Sequence, residues 1–313
     1  MLKLKKKSKI LNVVLNSLSH LDQFGNKNPC NKHIVLTFSG FLSQQDCSLE
    51  GWSQLNDVLD PRGISCFDVK WESILYTDIS KNTLSKVGKF FLLGGASLLI
   101  PSGGVFTAVK VIQTGLQLKE LFYDSIAVPA LELFLKAIDN AKQTGKLLAI
   151  ALALGFPFFN QTISLIGFSL GSQVIKSTIQ TLHEIGVHDL VQNVHFLGGA
   201  CKKLSERTEF WSSALQQTVG GRATNTYSTE DKVLQDLYKF AKGGNTGIGN
   251  EPQLVMSENN ASTKLGKEEI ERRRTLCPDM KVFRLKNYKC TLGHMQYREN
   301  ILSICKQISL EEK

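Results

Sequence analysis

Paired cysteine spacing is missing from this chain. Its seven cysteines, Cys30, Cys47, Cys66, Cys201, Cys277, Cys290 and Cys305, are odd in number and scattered. That argues against a disulfide framework and against a zinc site, so neither metal nor cofactor is expected, and a reducing compartment is favoured. The glycosylation patterns Asn160-Gln161-Thr162 and Asn260-Ala261-Ser262 would be silent there. A basic stripe interleaved with stacking aromatics is missing too. Lys3, Lys5, Lys6, Lys7 and Lys9 carry five of the charges behind a net +9, and the rest is only mildly basic; no nucleic-acid partner is expected. No segment repeats, so solenoids are excluded. The first apolar stretch is broken by Asn12 and Asn16 and lacks a small-residue cleavage site, which argues against a signal peptide. What is present, 313 residues with 42% apolar content, suits one large core with an insertion.

The most informative segment is Gly167-Phe168-Ser169-Leu170-Gly171. Ahead of it, Thr162-Ile163-Ser164-Leu165-Ile166 reads as a buried strand. Behind it, Leu170, Val174, Ile175, Ile179 and Leu182 recur at helical spacing. The bare pattern is weak, because glycine and serine are common. Its position on a strand-to-helix junction makes it a candidate nucleophile elbow, in which flanking glycines let a serine occupy a strained turn with its hydroxyl in a cleft.

A nucleophilic serine needs a base, and the base needs an orienting carboxylate. In hydrolases with this elbow the chain order is serine, acid, histidine. Histidine is scarce: of six, His20, His33, His183, His188 and His195 fall in helices, strands or early loops. Only His294 follows what reads as the last strand, Met280 to Leu285. Asp231, after the short strand Asn225 to Ser228, is the expected acid; a helix N-cap is its competing role, and Glu230 and Asp236 are its rivals. For the oxyanion, the backbone N–H of Leu170 is one expected donor. The loop Ser39-Gly40-Phe41, after the early strand His33 to Phe38, supplies the other at Phe41.

These blocks carry a resemblance. Phe38 to Leu42, Gly51-Trp52, Trp71-Glu72-Ser73, Ile163 to Gly171, Phe196 to Ala200, Asn225 to Ser228 with Asp231, and Gly293-His294 with Tyr297 resemble the transmembrane and coiled-coil domain-containing hydrolase-like family, from about Lys32 to Cys305. Its most specific elements are the Trp-Glu-Ser and Tyr-Ser-x-x-Asp blocks. The resemblance implies an α/β-hydrolase fold, a triad of Ser169, Asp231 and His294, and an apolar membrane-associated insertion. It brings no substrate with it. Gly199 and a short N-terminal extension depart from the family pattern.

The insertion is the second informative region. Phe90 to Val109 is a run of 20 residues without a charge, long enough to span a bilayer. Pro101-Ser102-Gly103-Gly104 puts a turn in its middle. A single crossing is excluded, because the strands before and after it must share one sheet. A membrane-dipping hairpin is expected. Two spans using the segment to Leu135, or a soluble cap, are the alternatives; Lys110, Lys119, Glu120, Asp124 and Glu132 burden the second leg. Leu147 to Phe159 is expected to be a buried crossover helix.

The expectation is therefore an α/β chain, a mainly parallel, doubly wound α/β-hydrolase sheet with an inserted apolar helical hairpin. Residues 1–31 form a basic amphipathic segment, suited either to an anionic membrane surface or to a solvated, frayed N-terminus. Residues 32–305 form the hydrolase domain, with the insertion at 86–140 and a flexible loop at 243–267, and 306–313 form a tail. The expected function is a serine hydrolase acting on a carboxylic ester, a lipid first. The alternative is a catalytically silent scaffold or trafficking adaptor. Membrane association with the globular part on the cytosolic side is expected, with a soluble cytoplasmic protein as the alternative.

Overall fold

The computed structural model describes residues 21–24, 32–41, 52–73, 128–238, 246–253 and 285–308. Seven strands form one sheet: β1 (Leu21–Phe24), β2 (His33–Phe38), β3 (Ile64–Val69), β4 (Thr162–Phe168), β5 (Val191–Leu197), β6 (Ala223–Ser228) and β7 (Leu285–Cys290). Their order is β1-β3-β2-β4-β5-β6-β7. Only β1 runs antiparallel, and β2 to β7 are parallel. From β2 the chain moves outward one way to β3, and from β4 it moves the other way to β5. The sheet is thus wound in two directions from the β2–β4 pair, as an α/β-hydrolase sheet is.

The sequence explains the layers. In β2 the successive residues Ile34 to Phe38 are all buried, as expected for a parallel strand covered on both faces. Its side chains alternate between two cores. Ile34, Leu36 and Phe38 join Leu165, Val194 and Phe196 on one face. Val35 joins Ile166, Phe168 and Leu197 on the other.

Helices α1 (Val128–Ala153), α2 (Gly171–Glu184) and α3 (Thr208–Thr218) supply residues to the first core. A short helical segment after Trp52 and the last helix, α4 (Ile301–Gln307), cover the second. Helix α2 lies against α1 and the sheet, so Ser172, Gln173 and Thr178 among its polar residues are buried. Each finds a partner close by: Ser172 Oγ donates to the Gly167 carbonyl (2.9 Å), Gln173 Nε2 to Ser177 Oγ (3.1 Å), and Thr178 Oγ1 to the Val174 carbonyl (2.9 Å).

Several boundaries differ from expectation. The crossover helix is α1, ending at Ala153, so the expected insertion boundary at 140 falls inside one continuous helix whose Phe134, Ala137, Ile138 and Ala141 are core residues. The apolar run to Phe159 is only partly buried, because beyond Ala153 the chain leaves the helix with Leu154 and Phe159 exposed. Leu21–Phe24, assigned to an amphipathic segment, pairs with β3 through backbone bonds. Residues 246–253, inside the expected flexible loop, are packed: the Ile248 carbonyl accepts from Asn225 Nδ2 (3.1 Å) and Gln253 is buried. The last strand runs from Leu285 to Cys290, and 280–284 lie outside the described residues. The tail expected from 306 begins inside α4, with Ile308 buried. The charge-free run at Phe90 to Val109 lies outside the described residues. Among those described, no helix is long and apolar enough to cross a membrane.

Helices α1 and α2 approach tightly at Gly145. A Cβ there would lie 2.3 Å from the Val174 carbonyl oxygen and 2.6 Å from Ser177 Cβ. Thr178 Oγ1 also bridges the pair by donating to the Gly145 carbonyl at 3.1 Å. Because backbone faces backbone, Gly145→Val forces the helices apart. It is expected to lower stability by about 2 kcal/mol in urea unfolding, whereas Lys146→Ala, at an exposed position of the same helix, should stay within about 0.5 kcal/mol.

Candidate active site

The C-terminal ends of β2 and β4 lie side by side, with Phe38 in register with Gly167. This is the switch point of the sheet, where neighbouring connections leave in opposite directions, the position at which open α/β sheets bind their ligands. Ser169 stands at the tip of β4 with φ of 51°, a left-handed conformation that few non-glycine residues adopt. Its backbone is fixed from two sides: Ser169 N–H donates to the Leu197 carbonyl (3.0 Å), and its carbonyl accepts from Ala200 N–H (2.9 Å). Two glycines make the turn possible. A Cβ on Gly171 would lie 2.1 Å from the Phe38 carbonyl oxygen, and one on Gly167 would lie 2.9 Å from the Gly171 backbone.

His294 and Asp231 converge on that serine. His294 Nε2 is 2.8 Å from Ser169 Oγ, and its Nδ1 is 2.7 Å from Asp231 Oδ2. An ionised carboxylate can only accept, so Nδ1 carries the proton and Nε2 presents its lone pair to the serine hydroxyl. All three residues are buried. The Phe168 ring lies 5.1 Å from the imidazole at 35°, packing one face of it.

The N-cap role weighed against Asp231 is also present. Its Oδ1 accepts from Leu234 N–H at 3.0 Å, at the start of a π-helical turn, Val233–Tyr238. One carboxylate oxygen caps a helix while the other orients the imidazole, so the two roles do not compete. Glu230, one rival acid, is exposed.

The loop after β2 lies against the nucleophile. A Cβ on Gly40 would sit 2.8 Å from Ser169 Cβ and 3.2 Å from its Oγ. This brings the backbone preceding Phe41 onto Ser169. Leu170, the other expected donor, is the N-cap of α2, where a backbone N–H has no intrahelical acceptor. Sequence reasoning gave no role to Trp52 and Trp71, although both stood in blocks that carried the resemblance. Trp52 Nε1 donates to Ser39 Oγ (2.8 Å) and Trp71 Nε1 to the Ser39 carbonyl (3.0 Å). The signal was a pair of tryptophans in a chain with three, and an indole that is buried needs an acceptor.

Comparison with known proteins agrees with the resemblance. The model of the family described as Protein of unknown function (DUF726) matches residues 26–264. The transmembrane and coiled-coil domain-containing protein STS1 of Oryza sativa subsp. japonica is 29% identical over 67% of this chain and 30% of its own length. The probable lipase MIL1 of Saccharomyces cerevisiae is 25% identical over 89% of this chain and 23% of its own. The chain therefore spans about a quarter to a third of the length of these relatives. Among solved structures, a cold-adapted esterase from an Arctic intertidal metagenomic library shares 9% identity, with a TM-score of 0.42 over 92% of this chain and 87% of that one.

The other reactive groups near the core are muted by burial. The Cys201 thiol is pushed up to about 11, with nearby Lys176 opposing the shift, and the Cys66 thiol is also raised. Neither is suited to act as a thiolate nucleophile. His195 lies within β5, its Nδ1 2.8 Å from Thr224 Oγ1, and burial lowers it to about 4 with a smaller contribution from Arg222. The unfolded chain takes up this proton near pH 6.5. The stability from His195 is therefore complete above pH 6.5 and is lost as pH falls toward 4, by about 3 kcal/mol in all. Half-buried His33, also lowered by burial, acts in the same direction. Urea unfolding at pH 7 and pH 4.5 should show this loss, and His195→Gln should make it smaller by about 2 kcal/mol.

Proposed function

The chain belongs to the DUF726 family, and on that premise we propose that it is a serine hydrolase that cleaves a carboxylic ester through an acyl-enzyme at Ser169. The observation that carries this reading is the continuous hydrogen-bonded line from Ser169 Oγ through His294 to Asp231, 2.8 and 2.7 Å long, ending on a serine held at positive φ. Such strain persists where the surroundings over-determine it, and it concentrates at functional sites.

In the proposed reaction Ser169 Oγ attacks the ester carbonyl carbon while its proton passes to His294 Nε2. The carbonyl oxygen becomes an oxyanion facing the backbone N–H groups of Leu170 and Phe41. As the alkoxide leaves, His294 returns the proton to it, so an alcohol departs and an acyl-serine remains. Water then repeats the sequence: His294 takes its proton, the hydroxide adds to the acyl carbon, and the Ser169 oxygen leaves reprotonated with release of the acid. Asp231 holds the imidazole tautomer throughout and balances the imidazolium that forms.

We propose a lipid-like ester as the substrate, and association with a membrane surface on its cytosolic side. Support for the substrate comes from the relative named as a probable lipase. Support for the location comes from a relative named as transmembrane and from the uncharged run at Phe90 to Val109. An apolar insertion reaching into a bilayer brings the crevice to where such esters are found.

Two experiments test these proposals. A fluorophosphonate probe should label the full chain at Ser169, and Ser169→Ala should abolish labelling without loss of the folded core. Asp231→Asn keeps the oxygen that caps the helix but leaves the imidazole without its anionic acceptor, so ester turnover should fall by about 10²–10⁴-fold. No labelling of folded protein would instead favour a silent scaffold. For the membrane, the protein should sediment with vesicles and resist high-salt extraction, and polar replacements of Leu98, Leu99 and Ile100 should release it. Neutralising Lys5, Lys6 and Lys7 should remove only a salt-sensitive part of the binding.

A further inference from the structure

The loop Ser39-Gly40-Phe41 lies past the end of β2, where the ladder to β3 and β4 no longer fixes the backbone. It nevertheless lies against Ser169, with Gly40 leaving no room for a Cβ beside the serine side chain. A donor aimed at a developing oxyanion works only if its position is set before the reaction, to within about 0.5 Å. Something other than strand pairing must set it.

Two indoles are among the contacts that do. Trp52 belongs to the core on one face of the sheet and Trp71 to the core on the other, and both direct their N–H groups at Ser39, at 2.8 Å to Oγ and 3.0 Å to the carbonyl. Both side chains are buried, as is Ser39. An indole nitrogen only donates, so each bond has one possible direction. Leaving a buried donor unmade is expensive, so neither bond is readily given up. The Trp71 bond matters most geometrically. It holds the Ser39 carbonyl, hence the rigid Ser39–Gly40 peptide plane, which leads straight into the backbone that passes Ser169. Trp71 is itself anchored, since the carbonyl of the next residue, Glu72, accepts from Asn140 Nδ2 of α1 at 3.0 Å.

We propose that Trp52 and Trp71 are positioning residues: the two indoles clamp Ser39 from opposite faces of the sheet and so set the oxyanion-stabilising backbone at Phe41. This rests on the serine hydrolase reading above. The test uses the full chain, a fluorophosphonate probe for the rate of phosphonylation at Ser169, and p-nitrophenyl acetate for turnover. Trp71→Phe keeps the ring and removes the N–H. It should slow phosphonylation and kcat by about 10- to 100-fold, with KM within about threefold. The pH midpoint of the rate should not move, because His294 and Asp231 are untouched. Ser39→Ala and Trp52→Phe remove the two ends of one bond, so each should slow the reaction by about tenfold and the double variant no more than either alone.

Rates within about twofold of wild type in folded Trp71→Phe and Ser39→Ala would overturn the proposal, as would a slowing accompanied by a shifted pH midpoint. Should Trp71→Phe not fold, Ser39→Ala decides, since it removes only a hydroxyl. A wild type that fails to react at Ser169 overturns the serine hydrolase reading and this proposal with it. A wild type that reacts, with variants that match it, overturns this proposal alone.

Discussion

At the end of β2 the Phe38 carbonyl oxygen would lie 2.1 Å from any Cβ on Gly171, so the first turn of α2 is pressed directly onto a neighbouring strand. That approach is possible only because β2 and β4 are adjacent while their connections leave in opposite directions. The tight turn at Ser169, its positive φ and the contact with Gly40 all depend on it. Had another strand lain between β2 and β4, Ser39 to Phe41 would sit a strand spacing, about 5 Å, further from the serine. The strained turn at Ser169 and the approach of Gly40 to it are consequences of strand order.

The other half of the site comes from the far side of β5. Asp231 follows β6 and His294 follows β7, and those strands pair in register from Ala223 with Leu285 to Ser228 with Cys290. A network of amides holds this edge. Asn250 Nδ2 donates to the Asp231 carbonyl (3.1 Å), and Asn287 Nδ2 donates to the Gln253 carbonyl (2.9 Å). Where a buried amide is partnered, its hydrogen bonds fix geometry more sharply than apolar contacts do. The carboxylate of Asp231 is thereby divided, one oxygen on a backbone N–H and the other on the imidazole. A carboxyl held at both oxygens cannot rotate away from the histidine.

Both faces of the sheet therefore contribute to one point. Phe168, from the second core, packs against the imidazole, Trp52 reaches Ser39 from that same core, and Trp71 reaches it from the first. The site lies at the junction of the two cores.

Much of this was legible in the residues alone. The limits of β2 and the strand-turn-helix around Ser169 followed from local pattern, because each depends on residues close together in sequence: β-branched runs, glycines flanking a serine, helical spacing. His294 was set apart from the other histidines by chain order, as the one after the expected last strand. Length and polarity misled where the decisive contacts are distant. Residues 246–253 read as a flexible loop because they are rich in glycine and asparagine, yet Asn225 and Asn287 supply partners that no local window contains. Residues 1–31 read as an amphipathic segment, whereas the edge strand Leu21–Phe24 needs β3 to pair with. The expected boundary at 140 lies inside α1, whose apolar face is defined by the sheet and the α2 that cover it. For Asp231 the sequence offered two roles as rivals, and only the three-dimensional arrangement, with a backbone N–H on one oxygen and an imidazole on the other, allowed both. Local pattern places particular residue types at the ends of particular strands. Tertiary structure decided their separations and shared partners, since hydrogen bonds spanning 63 and 125 residues, from His294 to Asp231 and to Ser169, exist only once strand order has brought them together.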